Sequence, residues 1–108
     1  MKSGTLGKLA LVAGNTHGLY KVELGNTAVI SLSVVNSDPL TNAKVRVAIT
    51  TAAGPSMGDY IEYDVIVNSG GGVLERTGIV MGANDEIFFR ADIQGVIARV
   101  YGYEESSV

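Results

Sequence analysis

Ala43-Lys44-Val45-Arg46-Val47-Ala48-Ile49 alternates apolar and cationic side chains at every second position. Only an extended chain sends such residues to opposite faces, so the stretch reads as a strand with Ala43, Val45, Val47 and Ile49 buried and Lys44 and Arg46 outside. Tyr60-Ile61-Glu62-Tyr63-Asp64-Val65-Ile66-Val67 repeats the pattern, with Ile61, Tyr63, Val65 and Val67 expected inward and Glu62, Asp64 and Ile66 outward. Paired as a hairpin, the two stretches would put Lys44 and Arg46 beside Glu62 and Asp64, where opposite charges attract across strands.

Outward from this pair the chain reads as strand, turn, strand throughout. Val, Ile, Thr and Tyr fill the runs, and Gly, Asn, Asp and Pro separate them. About eight strands are expected, near 8–13, 18–24, 27–36, 43–51, 60–68, 73–81, 86–92 and 95–103, with no apolar period of 3.6 residues held for three turns. Asn36-Ser37-Asp38-Pro39 and Gly82-Ala83-Asn84-Asp85 carry side chains that bond their own backbone and so make turns. The run from Thr27 to Val35 is apolar on both faces or nearly so, as a strand covered on both sides would be. These features predict a single all-β domain over 1–108, an antiparallel β-sandwich or jelly roll, with 1–7 as a flexible arm and 104–108 as a polar tail. Val45, Val47, Ile49, Ile61, Tyr63, Val65, Ile87, Phe89, Val96, Ala98 and Val100 are the expected core.

Composition narrows the functions. The chain has 108 residues, no cysteine, and 8 basic against 11 acidic residues for a net charge of -3. The basic residues are scattered, which argues against nucleic acid as a partner. No segment is long and apolar enough to suggest a membrane span, and Leu9 to Ala13 is too short for the core of an export signal. Charged residues make up 18% of the chain, against roughly 25% in soluble domains. With a mean hydropathy of +0.26, that balance points to apolar surface hidden between subunits, hence a homo-oligomer.

The sequence offers little chemistry. His17, the only histidine, lies in Gly14-Asn15-Thr16-His17-Gly18, with no Cys, Asp or Glu beside it, and reads as an exposed loop residue. Asp59, Glu62 and Asp64 form the densest acidic group, but without the ligand pattern of a calcium loop Glu62 and Asp64 read better as cross-strand partners of Lys44 and Arg46. Gly70-Gly71-Gly72 lacks the Lys-Ser/Thr and helix of a phosphate loop. No nucleophile, base and oxyanion donor come together, so neither enzyme activity nor a cofactor or metal is expected.

The second half carries a resemblance. Asn42 to Ile49, Tyr60 to Asp64, Gly72 to Val80 and the closing Val96-Ile97-Ala98-Arg99-Val100-Tyr101-Gly102-Tyr103-Glu104-Glu105 resemble a family of small virion structural proteins of tailed bacteriophages. That resemblance implies a non-enzymatic β-sandwich or jelly-roll subunit, made in the host cytoplasm and carried on the virion. A capsid decoration (cement) protein, often a trimer, would bridge neighbouring major capsid protein subunits. The alternatives are a tail, neck or fibre subunit, or a carbohydrate- or receptor-binding module using Tyr20, Tyr60, Tyr63, Tyr101 and Tyr103.

The expected contact surface comes from residues 86–101. A hairpin turning at Asp92-Ile93-Gln94-Gly95 would set Ile87, Phe89 and Ala91 against Val100, Ala98 and Val96 on an inner face. Its outer face would pair Phe88 with Arg99, Arg90 with Ile97, and Glu86 with Tyr101, a mixture of aromatic, aliphatic and Arg side chains typical of subunit interfaces.

Overall fold

The computed structural model describes residues 2–107. Eight strands run in order: β1 (Lys2–Ala10), β2 (Thr16–Lys21), β3 (Asn26–Asn36), β4 (Ala43–Thr50), β5 (Tyr60–Val67), β6 (Gly72–Met81), β7 (Glu86–Ala91) and β8 (Val96–Ser106). A single 3-10 turn, Met57–Asp59, is the one helical element among the described residues. The strands form two four-stranded antiparallel sheets, β1-β8-β3-β6 and β2-β7-β4-β5, packed face to face. The first half of the chain pairs with the second in reverse order: β1 with β8, β2 with β7, β3 with β6, β4 with β5. This is one long antiparallel hairpin rolled on itself, which is a jelly roll.

Alternation within each strand builds the core. Ala28, Ile30, Leu32 and Val34 of β3 and Val96, Ala98 and Val100 of β8 meet Val45 and Val47 of β4 and Ile87, Phe89 and Ala91 of β7 between the sheets. The expected turns form as their side chains dictate. Asp38 Oδ1 accepts the Leu40 and Thr41 N–H groups at 2.9 and 2.8 Å. Asp85 Oδ2 accepts the Gly82 N–H at 2.9 Å. Asn36 is buried at the end of β3, yet its amide donates to the carbonyls of Thr41 and Val67, at 2.9 and 3.1 Å, and its Oδ1 accepts the Asp38 N–H. Among the described residues no buried side-chain nitrogen or oxygen lacks a hydrogen-bond partner.

Four expectations are corrected. First, residues 86–91 and 96–101 do not form a hairpin: β7 and β8 belong to different sheets, and Asp92-Ile93-Gln94-Gly95 crosses the sandwich. Four residues can span the roughly 10 Å between packed sheets. The crossing is tied down on three sides: Asp92 Oδ1 accepts the Lys44 N–H at 2.8 Å, Gln94 Oε1 accepts the Ala13 N–H at 2.5 Å, and the Gly95 carbonyl accepts the Ser37 N–H at 2.9 Å. Second, Lys2 to Gly7, expected as a flexible arm, is the first part of β1 and pairs with β8, which itself runs through Glu104 to Ser106 in the expected tail. Third, Ile61 and Tyr63, expected in the core, are each 45% exposed. Asp64 takes a left-handed conformation (φ 54) where the β4–β5 register shifts, and one extra residue reverses which side chains point inward. Fourth, β3 is covered on one face only; Val29, Ser31, Ser33 and Val35 on its other face are half-buried by neighbouring strands.

Candidate functional site

The two outer faces of the sandwich differ in chemistry. On β2-β7-β4-β5, Arg46 organises a cluster around the bulge at Asp64. Its guanidinium donates to Asp64 through Nε at 2.7 Å and Nη2 at 3.3 Å, and lies 4.2 Å over the Tyr63 ring. Tyr63 meets Tyr60 edge to face, with centroids 5.1 Å apart. The Arg46 hydrogen bond holds the Asp64 carboxyl below the usual carboxylate range, and the same bond raises Arg46. Arg90 stands opposite Arg46 on β7 and donates to the Gly14 carbonyl at 3.4 Å. Phe88 sits opposite Ala48 on this face but is only 7% exposed. The residue opposite it on β2 is Gly18, which has no side chain, and the ring packs so close that a Cβ there would come within 3.3 Å of it.

On β1-β8-β3-β6 the outer side chains fall into rows. Ile97, Val35 and Val73 lie side by side near one end, and Tyr103, Val29 and Val80 near the other. Between them run Lys8, Arg99, Ser33 and Glu75, and then Thr5, Tyr101 and Ser31. The middle is an open depression of about 540 Å³ lined by Thr5, Ser33, Glu75, Arg99 and Tyr101 among others.

The six residues expected to share one contact surface are thus divided. Glu86, Phe88 and Arg90 lie on the outside of one sheet, and Ile97, Arg99 and Tyr101 on the outside of the other. Arg46, expected outside, and Tyr60 and Tyr63, named above only as aromatics of the sugar-binding alternative, complete the first group; their meeting in one cluster is what the sequence reading lacks. The sequence signal for them is Asp64, a residue that tolerates the left-handed region, set within an otherwise regular strand.

The remaining candidates have structural partners. The acidic group separates three ways: Asp59 accepts the Ser56 N–H at 2.8 Å, Glu62 pairs with Arg76 at 2.6 Å, and Asp64 pairs with Arg46. His17 lies in β2 rather than in a loop, half-buried, and its Nε2 accepts the Val12 N–H at 3.1 Å. Among the described residues no three His, Cys, Asp or Glu side chains could hold a metal ion. No helix among them is long and apolar enough to cross a membrane. Comparison with known protein families and with curated proteins found no match.

Proposed function

We propose that the chain is a non-enzymatic structural subunit of a bacteriophage virion, a capsid decoration protein that strengthens the head by bridging capsid subunits. The observation that carries this reading is the Arg46–Tyr63–Tyr60 cluster on the outer face of a rigid sheet. Arg and Tyr dominate the binding energy of protein interfaces. Arg46 is already held between Asp64 and Tyr63, so docking would freeze little additional side-chain freedom. The jelly-roll frame, the low charge fraction and the resemblance of the second half support the same reading. The cluster would dock on the major capsid protein.

Co-sedimentation with expanded, undecorated heads and with purified tails tests this. The parent chain should pellet with heads, and Tyr63→Ala should weaken binding by about tenfold or more, as loss of an interface anchor does. Pelleting with tails alone would move the chain to the tail, neck or fibre. A glycan-array signal lost in Tyr63→Ala would make the cluster a sugar platform, and failure to bind any of these would overturn the reading.

A further inference from the structure

The outer face of β1-β8-β3-β6 carries charge without partners. Among the described residues, Lys8, Arg99 and Glu75 form no ion pair within the chain. Lys8 and Arg99 occupy the β1–β8 side of their row and Glu75 the β6 side, with the half-buried Ser33 between. The same face exposes apolar groups at both ends of the strands, including Val73 at 52% and Val80 at 67%.

We infer that this face binds a second copy of the chain, face to face, about a two-fold axis running along the strands between β8 and β3. Rotation about that axis keeps each row in place and reverses the order of the strands. Lys8 then meets the other copy's Glu75, with Arg99 one strand away, and the contact occurs twice, as an isologous interface requires. In the row at one end Ile97 meets the other copy's Val35 and Val73 meets its Ala10; at the other end Tyr103 meets Val29, while Val80 meets the small Ser3. The two-fold axis across the strands fails this test, because it sets the charged row against Thr5, Tyr101 and Ser31. The two depressions coincide in the pair and give the long Lys8 and Arg99 side chains room.

Four strands at about 4.8 Å spacing, overlapping over about eight residues, offer roughly 500 Å² per copy, or roughly 1,000 Å² in the pair, the lower bound for a specific interface. The sheets would stack near −30°, the usual angle for aligned twisted sheets. A weak, salt-sensitive dimer is the expected product. This inference concerns the sheet opposite the Arg46 cluster and does not rest on the virion reading.

Sedimentation equilibrium of the full chain at low salt tests it. The parent should approach twice its 11.3 kDa mass at high concentration. Glu75→Lys, and separately Lys8→Glu with Arg99→Glu, should each weaken the dimer by about tenfold or more, because like charges then face each other. Mixed in equal amounts, the two variants should dimerise again, since each supplies the charge that the other needs. Circular dichroism melts verify that each variant is folded; should one not fold, Glu75→Gln and Arg99→Gln give the same contrast with a smaller loss. A monomeric parent, a trimer, a dimer indifferent to these substitutions, or reversed variants that fail to recover on mixing would each overturn the inference.

Discussion

The two lateral seams of the sandwich are closed by different physics. Where β1 and β2 meet, the seam is held by a buried carboxylate. Glu104 is 1% exposed and accepts hydrogen bonds from the Tyr20 hydroxyl, from Asn26 Nδ2 at 2.6 Å and from the Glu23 N–H at 3.2 Å, while Lys2 Nζ lies 4.0 Å away. Where β5 and β6 meet, Arg76 on one sheet reaches Glu62 on the other at 2.6 Å, and the Arg76 side chain is 48% exposed. One seam is a satisfied, water-excluded network; the other is a single ion pair whose Arg76 end is open to solvent while the Glu62 side chain is 12% exposed. The difference teaches where a charge matters: a buried charge with its partners removed is strongly destabilising, whereas an exposed pair contributes little.

Both seams close over one core, so a core truncation sets the scale. Phe89, fully buried on β7, should cost about 3–5 kcal/mol when replaced by Ala, read from denaturant melts. Separate unfolding transitions for the two sheets would instead show that the seams open independently. Glu104→Ala should come next, at about 3 kcal/mol, because it strands the buried Tyr20 hydroxyl and the Asn26 amide without their acceptor. A loss below about 1 kcal/mol would mean that water enters this seam freely.

Acid should separate the seams further. Burial pushes the Glu104 carboxyl up, but the bonds from Tyr20, Asn26 and the Glu23 N–H outweigh it and leave it below its ordinary value of 4.5. A carboxylate depressed on folding contributes stability that is complete above its unfolded value and lost as pH falls through its folded one. Thermal melts from neutral pH downward should therefore show the parent losing stability below about pH 4.5 more steeply than Glu104→Gln. Asp38 and Asp64 are also held low, by backbone N–H groups and by Arg46 respectively, but they are common to both proteins and cancel in the difference. Parallel curves would remove Glu104 as an acid-sensitive lock. The smallest effect belongs to the open seam: Arg76→Ala should cost about 0.5 kcal/mol, and a double-mutant cycle with Glu62→Gln should give a coupling no larger than about 1 kcal/mol.

Much of this was legible in the chain. Residues 43–49 alternate with the side-chain period of a strand, and the structure places Ala43, Val45 and Val47 inside as that period requires. Asn36, Asp38 and Asp85 bond their own loops, which is local chemistry and so readable locally. The errors share a cause. At residues 60–67 the sequence alternates straight through Asp64, but the left-handed conformation of Asp64 lies where the register shifts and Tyr63 turns out to Arg46. Glu104 read as a tail residue because its partners, Tyr20 and Asn26, lie some eighty positions away in the chain.

By itself the sequence determined the all-β class, the approximate strands, most of the inward faces and the turns, because each depends on side chains within a few positions of one another. Only the tertiary structure decided which sheet each strand joins. An inward Phe89 and an inward Val100 are equally buried whether their strands are hydrogen-bonded neighbours or face each other across the core, so burial alone cannot distinguish a hairpin from a crossing. The choice is visible in the strand pairings of β7 and β8 and in the hydrogen bonds that Asp92, Gln94 and Gly95 make to Lys44, Ala13 and Ser37 at the crossing. With it, the surface expected on one face is divided between two: an aromatic and arginine cluster on one sheet, and on the other a row of charges, Lys8, Arg99 and Glu75, that form no ion pair among the described residues.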